Sequence, residues 1–146
     1  MIPTTPDRDL EALLHTVLPC AGHVLGRAEG FPPFATTLSI DGVVVLLAAT
    51  GASNGSSPGV DPLDVLYDEA RGDKEALRAV AIAAVIHTRS GDYVRVEVER
   101  SDAEPLIVLV PYRRAWLSKR VTFGTHVHFN GTSRIWLGGA KPTTAA

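Results

Sequence analysis

The residues able to do chemistry fall in four places along the chain. Gly51-Ala52-Ser53-Asn54-Gly55 has the G-x-S-x-G form in which a tight strand-to-helix turn exposes a serine nucleophile, and an apolar run precedes it. Ser56-Ser57-Pro58-Gly59 follows where a helix should begin, so the segment reads as a flexible loop. It also lacks the Gly-Lys-Ser/Thr ending of a phosphate-binding loop. His126-Val127-His128 puts two imidazoles on one face of a strand, where both could reach one metal ion. Two ligands do not make a site, and a third would have to come from His15, His23, His87 or Cys20. The alternative is an exposed histidine pair beside Asn130-Gly131, with Val127 and Phe129 facing inward.

The other two places are charged. Arg113, Arg114, Lys119 and Arg120 surround Trp116, a pattern that can contact phosphates and stack a base. A net charge of −2 and a pI near 6.2 lack the electrostatic footprint of a nucleic-acid binder. The cluster therefore suits an anionic patch on a protein partner, or a solvated turn with its tryptophan anchored in the core. Tyr93, Arg95, Glu97 and Glu99 share one face of an alternating strand whose Val94, Val96 and Val98 point inward. That face must be solvated or meet a polar partner. Asp92, Glu97, Glu99, Asp102 and Glu104 could be searched for an acid/base pair, but Glu97 and Glu99 are most simply solvent-facing strand residues alternating with valines, and Asn54-Gly55-Ser56 and Asn130-Gly131-Thr132 are turn sequences that happen to match a glycosylation acceptor. No catalytic residue, cofactor or metal is assigned, with His126 and His128 the only weak metal candidates.

These residues need elements to hold them. Thr5-Pro6 with Asp7 and Asp9 is a helix start, and Leu10, Leu13, Leu14, Val17 and Leu18 recur at helical spacing. Pro19 ends that helix near Leu18 or kinks it on its way to Leu25. Phe31-Pro32-Pro33-Phe34 leads into two apolar runs joined by Asp41-Gly42, which predicts a β-hairpin with a two-residue turn of positive φ. Residues 50–59 form a loop, and Asp61-Pro62 opens a second helix predicted to run to about Arg78. Three strands follow over 80–88, 93–100 and 106–110, the first apolar on both faces and the third ended by Pro111. Asn130-Gly131 closes a further hairpin over 125–137, and 138–146 is read as a disordered tail.

Length and composition set limits on the whole. The 146 residues suit a single domain, taken as 1–137, with 45% hydrophobic and 21% charged residues. One cysteine permits no internal disulfide. The amino-terminal residues lack the features of a signal peptide, and no apolar run approaches the ~20 residues of a membrane helix. A cytoplasmic protein without membrane or nucleic-acid partners is expected. Residues 1–75 carry 11 acids and 4 bases (−7), and residues 76–146 carry 5 acids and 10 bases (+5). Such asymmetry fits pairing across one surface, self-association or a polar partner.

The expected fold is α+β: helix, hairpin, helix, three-strand antiparallel meander and an extra C-terminal hairpin, with both helices on one face of the sheet. The element order is similar to that of roadblock and profilin-like domains, a likeness of fold only. At the residue level, PFATTLSIDG at 33–42, AVAIAAV at 79–85, VEVER at 96–100 and VPYRR at 110–114 resemble a bacterial family of small uncharacterised proteins. Members of that family carry Pro-Phe-Gly/Ala before an Asp-Gly turn and a Val-Glu-x-Glu strand before Pro-Tyr. The resemblance implies the fold and no reaction. The functional expectation is a non-enzymatic interaction or regulatory module, immunity-like or adaptor-like. It would bind a protein partner or a second copy through Tyr93, Arg95, Glu97 and Glu99 or through Arg113, Arg114, Trp116, Lys119 and Arg120. The alternative is a small hydrolase or metal-dependent enzyme using Ser53 or His126 and His128.

Overall fold

The computed structural model describes residues 5–28, 30–48 and 61–136. Helix α1 (Thr5–Leu25) precedes strands β1 (Phe34–Ser39) and β2 (Val44–Ala48). Helix α2 (Pro62–Asp73) and one 3₁₀ turn (Lys74–Ala76) lead into the long strands β3 (Leu77–Thr88), β4 (Gly91–Arg100) and β5 (Ala103–Arg114). Two short strands, β6 (Val121–Phe123) and β7 (Val127–Asn130), complete the described chain. The architecture is α+β, with one antiparallel sheet in the order β2-β1-β3-β4-β5 and both β6 and β7 on the outer side of β5.

The helices pack on opposite faces of the sheet, which corrects the expectation of one face. Leu10, Leu13, Leu14, Val17, Ala21 and Leu25 of α1 meet Phe34, Leu38, the alanines 79, 81 and 83, and the inward valines of β4 and β5. The three alanines leave room for the helix to lie close to β3. Alternate residues of the same strands, Ala35, Val80 and Ile82, meet Leu66, Tyr67 and Ala70 of α2 together with Ile135. A strand that is apolar on both faces needs cover on both faces, because each exposed side would forfeit the gain of burial.

The local chemistry explains several boundaries. α1 continues through Pro19, which has no N–H for the His15 carbonyl, so the helix loses a bond there without ending. Asp61 caps α2 by accepting from the Leu63 amide at 3.0 Å, with Pro62 at the first helical position. α2 stops at Asp73, short of the expected Arg78. Gly72 and Asp73 are poor helix formers, and Leu77 packs against the α2 side of the core as the first residue of β3.

The first hairpin closes differently from the expected two-residue turn. Gly42 N donates to the Ser39 carbonyl and Ser39 N to that of Val43, both at 2.9 Å, which makes a three-residue loop over 40–42. Within it only Gly42, at φ 92°, has a positive φ. This is a type I turn followed by a left-handed glycine, the usual three-residue solution. Ser39 Oγ accepts from Val43 N at 2.9 Å and fixes the loop further.

Among the described residues no hairpin closes at Asn130-Gly131, and the third strand does not end at Pro111. β6 pairs with residues 112–114 and β7 with residues 106–109, both antiparallel, so the two short strands form one interrupted edge strand along β5. The interruption sets residues 124–126 against Val110 and Pro111. Gly124 N donates to the Pro111 carbonyl at 2.7 Å, so the side of Pro111 that lacks an N–H faces the gap between β6 and β7. Gly131 then donates to the Pro105 carbonyl at 3.0 Å, and a Cβ there would stand 3.2 Å from the Leu106 amide nitrogen. From this close crossing, residues 132–136 pass onto the α2 side of the sheet.

Candidate functional site

The outer face of β4 is not the open polar surface that its alternation suggests. Glu99 is only 5% exposed. Its carboxylate accepts three consecutive backbone amides, from Arg134 at 2.8 Å and from Ile135 and Trp136 at 2.9 Å. Glu97 accepts a hydrogen bond from the Tyr67 hydroxyl and pairs with Arg95. Arg134 lies 4.0 Å over the Tyr67 ring and 3.7 Å from Asp64, and its carbonyl accepts from Arg71 Nε at 2.7 Å. Glu97 and Glu99, expected to face solvent, therefore anchor α2 and the segment 134–136 to the sheet. Burial, then the bond to Glu97 and its charge, push the Tyr67 phenol far above its ordinary titration range. Tyr93 stands near the β3–β4 turn, its hydroxyl 3.4 Å from Ser90 Oγ.

The basic cluster divides into two parts. Arg114 Nη1 donates to the carbonyls of Leu25 at 3.0 Å and Ala28 at 3.1 Å, capping α1 with a cation where the helix dipole favours one. Arg113, Lys119 and Arg120 point into solvent around the turn 115–120. That turn is closed by Ala115 N to Arg120 O at 2.8 Å and Lys119 N to Ala115 O at 3.0 Å, with Lys119 at φ 62°. Trp116 is not anchored in the core: it is 83% exposed and Leu117 beside it 81%.

His126 and His128 stand on the rim of a groove of about 890 Å³ between α1 and the outer edge of the sheet. Its floor is Leu10, Leu14, Leu18, Leu106 and Phe123, and Glu11 and His15 form the facing wall, with Arg100 also lining it. The rings of His126 and His128 are 6.5 Å apart, centroid to centroid. Folding brings His15 to their groove and leaves the other ligand candidates elsewhere. His23 lies 3.2 Å from Arg27, His87 Nδ1 lies 2.8 Å from Asp92, and Cys20 packs against the α1 side of the core. Among the described residues no three of His, Cys, Asp and Glu are grouped so as to hold a metal ion. An apolar floor with a few polar rim groups suits a small amphiphilic molecule. Ser53 lies outside the described residues.

Sequence reasoning passed over most of the apolar surface, and Val127 and Phe129, expected to face inward, are exposed. The exposed large hydrophobic residues among those described are Ile40, Val43, Val44, Val45 and Leu46 at β2, and Trp116, Leu117, Val127 and Phe129 at the β6–β7 edge. All stand on or beside the two outer edges of one sheet. Two signals were present in the chain. Residues 43–47 are five apolar residues in a row, more than an edge strand with one covered face can bury, and no Asp or Glu follows Glu104. No helix among the described residues is long and apolar enough to cross a membrane. Comparison with protein-family models, with curated proteins and with solved structures finds no match to this chain.

Proposed function

We propose that this protein is a non-enzymatic interaction module whose outer strand β2 accepts a partner strand, the partner being a second copy of the chain. The observation that carries this reading is the exposed run Val43, Val44, Val45 and Leu46 on a strand that, among the described residues, is paired on one side only. Ser39 and Val43 exchange a backbone bond, so by antiparallel alternation residues 43, 45 and 47 turn their backbone groups to β1. Val44 and Leu46 then direct N–H and C=O outward, a template for strand addition. Such edges are usually blunted by lysine, proline or inward-pointing charge, and residues 43–48 contain none of these. Across a two-fold axis residue i of one copy faces residue j of the other and j faces i, and with no charge at any of 43–48 the strand meets its own copy without repulsion.

Amide hydrogen exchange at Val44 and Leu46, followed against protein concentration, tests the reading. Both amides should slow as concentration rises while the amides of β4 stay unchanged. Exchange at both that is fast and independent of concentration would remove the proposal.

A further inference from the structure

We propose that the tip of the β5–β6 hairpin docks onto the surface of a membrane containing anionic phospholipid. Trp116 and Leu117, neighbours in sequence, are 83% and 81% exposed at the end of a turn. Neither makes a core contact that would explain an apolar residue there. The three flanking cations, Arg113, Lys119 and Arg120, form no side-chain hydrogen bond or ion pair among the described residues. Residues 105–146 hold six Lys or Arg residues and no Asp or Glu, so no side-chain carboxylate of that stretch opposes an anionic surface. Arg114 is bonded to the end of α1, which ties the base of the hairpin to the body of the protein.

The chemistry of the tip chooses among anionic partners. Tryptophan prefers the headgroup level of a bilayer, where its ring is buried and its indole N–H is solvated, and leucine prefers the acyl boundary beneath. Lysine and arginine beside them meet the phosphates and serine headgroups, and each cation near such a surface raises partitioning about fivefold (roughly 1 kcal/mol). A single-stranded nucleic acid would use the tryptophan ring and the cations but has nothing to offer Leu117, which has no face for a base to stack on. This proposal departs from the sequence expectation of no membrane partner, whose ground was the lack of a spanning segment. Peripheral contact needs only this tip.

The test uses the full chain with Trp136→Phe, so that Trp116 alone reports, and phosphatidylcholine vesicles with or without phosphatidylserine. Trp116 emission should shift to the blue and the protein should sediment with the anionic vesicles, but not with phosphatidylcholine alone. Lys119→Ala with Arg120→Ala should weaken sedimentation about 25-fold, from about fivefold per cation. Trp116→Ala with Leu117→Ala should abolish it without changing the melting temperature, since neither side chain is packed. The proposal is overturned by no binding to anionic vesicles, equal binding to neutral ones, unaltered binding by both variants, or a blue shift with protein concentration in the absence of lipid. The last would make the tip an interface between copies. Single-stranded RNA that quenches Trp116 while vesicles leave it unchanged would give the tip to nucleic acid and equally overturn it.

Discussion

Glu99 shows what a single side chain does here. A carboxylate is costly to bury, and three amide donors from residues 134–136 offset that cost while tying down a segment that has no helix or strand of its own. Glu99→Ala should lower unfolding free energy in urea by about 3 kcal/mol, the scale of lost hydrogen bonds to a charged acceptor, and should speed amide exchange at 134–136. Thr36 carries the opposite imbalance: its hydroxyl is fully buried and has no hydrogen-bond partner among the described residues. Thr36→Val should raise stability by about 1 kcal/mol in the same titration, because a buried unpaired hydroxyl costs more than a methyl. Tyr67 gives a pH signature. Its folded-state pKa lies above the unfolded value of about 10, so its contribution is complete below that pH and is lost as pH rises from there through the folded-state value. In alkaline denaturation above about pH 10 the wild type should therefore lose about 1.4 kcal/mol per pH unit more than Tyr67→Phe. None of these roles was legible from spacing. The alternation of Val94, Val96 and Val98 with Arg95, Glu97 and Glu99 is identical whether the polar face meets water or three amides from 35 residues away.

At the scale of elements, the sequence signals held where they were local. Helical spacing of Leu10, Leu13, Leu14 and Val17 places α1, and the Asp61-Pro62 cap places the start of α2. Element ends were harder, because competing partners decide them. Leu77 keeps helical phase with α2 yet joins β3, since a long strand shared by two faces gains more than another helical turn. Pro111 reads as a stop, and it stays within β5 because the edge strand beside it is interrupted at that residue. The same rule gives a sharp probe of β2. Proline is tolerated where the lost N–H faces outward, so Leu46→Pro should leave the circular dichroism spectrum unchanged and the melting temperature within a few degrees. Proline at Val45, whose N–H faces β1, should unfold the hairpin and lower the melting temperature much further.

The whole molecule is a sheet covered on both faces and apolar at both edges. Its faces were partly readable: β3 is apolar on both sides, and that alone argues for cover on both, although the helices were first expected together. Its edges were not, because strand order decides which strands are outermost, and β1 pairs with β3 across a gap of 37 residues. β2 lies at one edge and the cationic tip of the β5–β6 hairpin at the other, so the two proposed contacts fall on separate surfaces. The first is central to the proposed function, and light scattering coupled to size exclusion tests it most directly. The wild-type chain should approach twice its 15.5 kDa mass as concentration rises, and Leu46→Pro should remain at 15.5 kDa throughout. A wild-type protein that stays monomeric at every concentration, or a proline variant that still doubles its mass, would contradict strand addition at β2.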